Sequence, residues 1–113
     1  MRIGVKGRNF EVSDDVQQKV QKRFEKIGRQ VSQLATLEVE LSEEKNPSIR
    51  ESCIAEANLK LKGVTLRAKA RSDNMATAVS EAADELTRQV KKHRDKRRGR
   101  RPAAKVQGQA AAP

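Results

Sequence analysis

The 113-residue sequence predicts an α+β fold of order β-α-β-β-β-α, a two-layer sandwich with two helices on one face of a four-stranded sheet. Three observations carry this prediction. Apolar residues alternate with polar ones in four segments, they recur at helical spacing in two others, and the connections differ sharply in length. The link between the first two strands holds a whole helix, which suits a parallel crossover, whereas the short later links suit an antiparallel meander. Both helices must then cover the same face to bury their stripes.

The first strand is residues 2–7 (RIGVKG), with Ile3 and Val5 facing one way and Arg2 and Lys6 the other. Ser13 followed by Asp14 and Asp15 predicts an N-cap and an acidic first turn, which complements the helix dipole. From there Val16, Val20, Phe24, Ile27 and Val31 form one apolar stripe of helix 1, which should end between Gly28 and Gln33. Lys19, Lys22, Arg23, Lys26 and Arg29 fall together on one flank of that helix.

Residues 36–42 (TLEVELS) alternate as a second strand, with Leu37, Val39 and Leu41 inward, before a polar loop broken by Pro47. The third strand, residues 52–61, places Cys53, Ala55, Ala57, Leu59 and Leu61 on its inner face. Lys62 and Gly63 make a tight turn into the fourth strand, residues 64–71, which directs Val64, Leu66, Ala68 and Ala70 inward. On the outward face, acids of strand two stand beside bases of its neighbours, so that face should be laced by cross-strand ion pairs.

Ser72, Asp73 and Asn74 supply caps for helix 2, whose stripe is Met75, Val79, Ala82, Ala83, Leu86 and Val90. The stripe stops at Val90, yet nothing breaks the helix before Gly99, so its last two turns should project beyond the core with bases nearly all round. Residues 1–98 therefore read as one domain. Residues 99–113 (GRRPAAKVQGQAAAP) lack apolar periodicity and read as a disordered, basic and alanine-rich tail.

Composition narrows the function. Hydrophobic and charged residues each make up 35% of the chain, so the core is thin and the surface highly solvated. The net charge of +10 is concentrated: residues 1–87 net +1, whereas residues 88–101 net +8. A field focused in that way attracts polyanions, and nucleic acid is the commonest one in a cell. Cations favour a helix C-terminus, but that accounts for two or three of these residues only.

An enzyme has little to work with here. The single His93 stands inside the basic run, the single Cys53 reads as a buried strand residue, and no phosphate-cradling glycine motif follows a strand. Glu38, Glu40, Glu43 and Glu44 read as solvated surface. No catalytic residue, metal or cofactor is expected. The absence of a signal-like N-terminus and of a long apolar run predicts a soluble, cytoplasmic protein without membrane contact. Phe10 and Phe24 are the only aromatics, and Phe24 belongs to the core stripe, so base stacking is not the expected mode of RNA binding. Recognition of backbone and shape by Lys and Arg remains.

Two segments then resemble a known family, the ribosome hibernation promoting factors, also called ribosome-associated inhibitor or sigma-54 modulation proteins. The first is the opening strand with its glycine, the Ser cap and KRFEKI, in which Arg23, Phe24, Lys26 and Ile27 match the family's basic-F-x-K-L pattern. The second is NMATAV through RQVKKHRDK, which is similar to the family's DMYAAI followed by RQLxKHKxK. The resemblance covers about residues 1–97 in the same element order. Ala76 stands where the family commonly has Tyr, and Gln17 where a basic residue is frequent.

The resemblance implies a fold whose later elements are similar to the double-stranded RNA-binding domain. It also implies a monomeric bacterial protein that binds the small ribosomal subunit at the 16S rRNA decoding channel, within the 70S ribosome, and blocks translation by occlusion in stress or stationary phase. No small-molecule substrate is implied. The residues expected to contact rRNA are Lys19, Lys22, Arg23 and Lys26 on helix 1, with Arg88, Lys91, Lys92, Arg94, Lys96, Arg97 and Arg98 on helix 2. The length corresponds to a short form or to the N-terminal part of a long one, and the tail does not reveal whether ribosome dimers are promoted or prevented. Two other readings stand beside this one: a general double-stranded-RNA-binding module, and an interaction module docking on an acidic transcription factor.

Overall fold

The computed structural model describes residues 1–46 and 50–100, with residues 97–100 described by their backbone only. Its elements are β1 (Arg2–Arg8), α1 (Asp14–Gly28), β2 (Thr36–Glu43), β3 (Cys53–Leu61), β4 (Val64–Ser72) and α2 (Met75–Arg100). The sheet order is β1-β2-β3-β4, with β1 and β2 parallel and the other neighbours antiparallel. The expected α+β architecture is therefore the one observed.

Local chemistry sets the boundaries. Ser13 Oγ accepts from the Val16 amide at 3.2 Å, with Asp14 and Asp15 in the first turn of α1. That helix ends at Gly28, so Val31 leaves the helix but still packs against the core. At the other helix, Asn74 Oδ1 accepts from the Thr77 amide at 3.2 Å, while Ser72 Oγ accepts from the Asn74 amide at 3.3 Å. Gly63 has φ of 81°, the left-handed conformation that a two-residue hairpin turn demands and glycine adopts freely.

The alternation of the strands places Leu37, Val39, Leu41, Ala55, Ala57, Leu59 and Ala68 on one face. Val20, Phe24 and Ile27 of α1 and Ala78, Val79, Ala82, Ala83, Leu86 and Val90 of α2 close over them in a single cluster. Each large apolar side chain so buried contributes about 1.5–3 kcal/mol. Both helices thus cover the same face, α1 packing on α2 and β1, and α2 on β3 and β4.

Among the described residues, no helix covers the other face of the sheet. Register aligns Lys6, Glu40, Glu56 and Lys69 across the four strands, base-acid-acid-base, and Lys6 Nζ lies 3.9 Å from Glu40. Arg71 and Glu44 make a second ion pair at 3.9 Å. One residue departs from the expected polar pattern: Ile54 faces outward in register with Ser42 and Arg71 and is nonetheless buried.

Two expectations about α2 are corrected. The helix does not give way to the tail at Gly99 but runs through it to Arg100, because one glycine costs a helix only about 1 kcal/mol and does not end it. The boundary at residue 99 is therefore not a helix end, and residues 101–113 of the expected tail lie outside the described residues. Packing also continues one turn past Val90, since His93 and Arg94 are both half-buried. The expected free, all-round basic extension thus begins later than the stripe implied.

Because β1, β2 and β4 point the same way and each helix returns across the sheet, α1 and α2 run parallel. Their C-terminal ends meet.

Candidate nucleic-acid interface

Two contacts fix how each helix is rotated about its axis. A Cβ placed on Gly28 would lie 3.5 Å from Met1 Cε, so that side of α1 faces the N-terminal edge of the sheet. At about 100° per residue, Lys19, Arg23 and Lys26 lie on the opposite side, with Lys22 beside them. The cationic flank of α1 is therefore turned toward α2. All four side chains are exposed.

On α2, the Gln89 side chain donates to the Arg67 carbonyl of β4 at 2.7 Å, which anchors that side of the helix to the sheet edge. The opposite side carries Thr87, Lys91 and Arg94 and faces α1. The seam between the helices is thus flanked by Lys19, Arg23 and Lys26 on one side and by Lys91 on the other. Arg88 and Lys92 point outward from the top of α2, and Lys96 falls on the same line as Gln89, toward the β4 edge.

The sequence-predicted residues consequently divide into groups. Lys22, Arg23, Lys26, Lys91, Lys92 and Lys96 are exposed and make no ion pair among the described residues. Lys19 lies 3.5 Å from Asp15 and Arg88 is paired with Glu85, both on the exposed surface, where such pairs are worth at most about 1 kcal/mol and give way readily to another anion. Arg94 is different. Its Nη1 donates to Gln30 Oε1 at 3.4 Å and its Nε is sealed from solvent. Arg97 and Arg98 occupy the last turns of α2, where only the backbone is described.

The exposed charge of α2 changes sign along its length, from Glu81, Asp84 and Glu85 to Arg88, Lys91 and Lys92. With the helices parallel, the cations of both gather at one pole, where the negative ends of the two helix dipoles also lie. Glu85 sits at the changeover. Its carboxyl is held below its ordinary value of 4.5, chiefly by the Gln89 hydrogen bond and secondarily by the Arg88 charge.

Two features of this pole were not legible as site residues. Gln30 is neutral and gives no charge signal, yet it receives Arg94. Lys62, assigned to a turn, lies at the end of the sheet toward which both helices run, a placement that only the strand directions reveal.

Among the described residues, no group of three or more His, Cys, Asp or Glu is placed to hold a metal, and no helix is long and apolar enough to cross a membrane. What the geometry offers among the described residues is a broad cationic surface.

Comparison with known proteins agrees with that character. The chain is 29% identical over 99 residues to the ribosome hibernation promoting factor of Acinetobacter guillouiae, covering 83% of this chain and 88% of that protein. It is 27% identical over 107 residues to the ribosome hibernation promoting factor of Azotobacter vinelandii, covering 91% and 95%. The crystal structure of the Thermus thermophilus Protein Y N-terminal domain is similar with a TM-score of 0.71 at 26% identity, over 82% of this chain and 99% of that one. Residues 3–98 match the family model described as Sigma 54 modulation protein / S30EA ribosomal protein, and the chain belongs to that family, whose members are binding proteins and not enzymes.

Proposed function

We propose that this protein is a ribosome hibernation factor that binds rRNA of the small subunit through the helical face and inhibits translation during stress or stationary phase. The observation that carries the reading is the seam between α1 and α2, which exposed and largely unpaired cations of the two helices flank on either side. The names of the Acinetobacter and Azotobacter relatives support the ribosome as the target. Two cationic walls suit a structured RNA, whose phosphates are closely spaced on more than one side. Occupation of the mRNA and tRNA channel follows as the mode of inhibition, with the protein acting as a cytoplasmic monomer.

The test is co-sedimentation with purified small subunits and whole ribosomes, together with translation in vitro. The wild type should bind and inhibit, and affinity should fall by about 10³–10⁵ between 50 and 200 mM salt if six to ten phosphates are contacted. Changing Arg23, Lys26, Lys91 and Lys92 to Glu should abolish both properties while leaving the fold intact, because all four are exposed. Unimpaired binding by that variant would discard the surface. Failure of the wild type to bind ribosomes would discard the function, and binding of free duplex RNA alone would favour a general RNA-binding module.

A further inference from the structure

Arg94 occupies the position where the next core residue of α2 belongs. It follows Val90 by one turn on the edge of the stripe that faces α1, and it is half-buried although its neighbours Lys92 and Lys96 are exposed. An arginine can fill such a place because its methylene stem covers apolar surface while its head reaches a polar partner. Here the head reaches the C-terminal end of α1. Gln30, just past the Arg29 cap, accepts from Nη1 at 3.4 Å, and Nε is enclosed without a hydrogen-bond partner among the described residues. A cation at that place is also favoured by the negative end of the α1 dipole.

We infer that Arg94 is a positioning residue: it ties α2 to the end of α1 through Gln30 and sets the direction in which the basic last turns leave the body, instead of contacting RNA itself. This rests on the proposed rRNA-binding function only for its consequence, since the tie is a property of the free protein. The lever is long. From Val90 to Arg100 the helix rises about 15 Å, so a swing of roughly 15° would shift its end by about 4 Å, more than the length of a charge-assisted hydrogen bond. Cations on a loosened helix must be ordered on binding, which lowers affinity without changing the number of phosphates neutralised.

Four variants separate positioning from contact: Arg94→Met, which keeps the stem, Gln30→Ala, Gln30→Glu, which keeps an acceptor, and Lys92→Met as an exposed-cation reference. Hydrogen exchange of the free protein is read first, over amides 91–96. Arg94→Met and Gln30→Ala should each speed exchange about five-fold, and the double variant no further, because both remove the same tie. Gln30→Glu should restore protection relative to Gln30→Ala. In binding to purified small subunits, Lys92→Met should lower the slope of log affinity against log salt by about 0.7–0.9, whereas Arg94→Met and Gln30→Ala should weaken binding at an unchanged slope. The inference is overturned if Gln30→Ala leaves exchange unchanged, or if Arg94→Met lowers the salt slope as Lys92→Met does. A wild type that fails to bind small subunits would sink the function, while the exchange measurements would still decide the role of Arg94.

Discussion

Gln89 joins α2 to the edge of the sheet by donating its side-chain amide to the backbone carbonyl of Arg67 at 2.7 Å. The same nitrogen donates to Glu85 Oε2 at 3.1 Å, so both of its hydrogens are engaged. The contact does two things. It satisfies a carbonyl on β4, an edge strand of the sheet among the described residues, and it fixes the rotation of α2, which decides that Lys91 and Arg94 face α1 while Lys96 does not.

Replacing Gln89 by Leu keeps the side chain's bulk and removes both hydrogen bonds. Stability should fall by about 1 kcal/mol for the edge contact, which is partly exposed to water. Gln89→Glu should cost more, since a carboxylate would face a carbonyl oxygen and Glu85. Urea unfolding midpoints of the three proteins check the order, and a Glu variant as stable as the Leu variant would contradict it.

The same contact has a pH signature. Glu85 has a folded pKa below its ordinary value, first through Gln89 and then through Arg88, with burial opposing both. A lowered carboxyl pKa adds stability that is complete above the unfolded value of 4.5 and is lost as pH falls through the folded value. Glu85→Gln should therefore be less stable than wild type at neutral pH, with the difference shrinking on acidification below pH 4.5. Chemical denaturation at a series of pH values measures it. A gap that widens toward acid would show that the carboxylate is not the source.

How much of this could be read from the residues alone follows from the range of each effect. The strands at Ile3, Leu37 and Leu59 and the helices at Phe24 and Leu86 announce themselves by period, because burial acts on every second or every third to fourth side chain. Caps at Ser13 and Asn74 are equally local. The cationic flank of α1 is legible too, as an angular cluster. What the sequence hides is partnership across distance. Helical spacing from Val90 sets Arg94 apart from Lys92, but nothing in the run of Lys and Arg names its partner Gln30, 64 residues away. Ile54 is hidden for a similar reason: its outward position is plain from alternation, and its burial depends on its neighbours across the sheet.

Gly7 marks a place where backbone geometry leaves no choice of residue. A Cβ at Gly7 would lie 1.9 Å from the carbonyl oxygen of Phe10, in the bend where Asn9 adopts φ of 56° to turn the chain from β1 toward α1. The obstacle is main chain and cannot swing aside as a flexible side chain could. Gly7→Ala should force the bend open and cost about 1–3 kcal/mol, the range of local backbone strain. Gly4→Ala, in the same strand with nothing within 4 Å, should be far milder. Thermal unfolding of the pair makes the comparison, and equal losses would remove the bend as the cause.

The core offers the sharpest test of how closely the helical layer lies on the sheet. Helix α2 packs on β3 and β4, and its buried face is built largely of Ala78, Ala82 and Ala83. The strands contribute Ala55, Ala57 and Ala68 to the same cluster. Small residues on both surfaces let the backbones approach, so a thin core is close-packed rather than empty. Ala82 is fully buried, and a larger side chain there has to push α2 away from the sheet. Ala82→Leu should therefore destabilise by about 1–3 kcal/mol through overpacking, despite burying more apolar surface. The opposite change one turn on, Leu86→Ala, should cost about 2–5 kcal/mol by leaving a cavity. Ala76→Leu, on the exposed side of the same helix, should shift stability by no more than about 0.5 kcal/mol. If instead Ala82→Leu stabilises the protein, as area alone would require, then the layers are not in close contact at that point. Because displacement of α2 also moves Lys91 away from the α1 flank, Ala82→Leu should weaken binding to small subunits by more than Ala76→Leu at the same salt concentration, with the fold still intact.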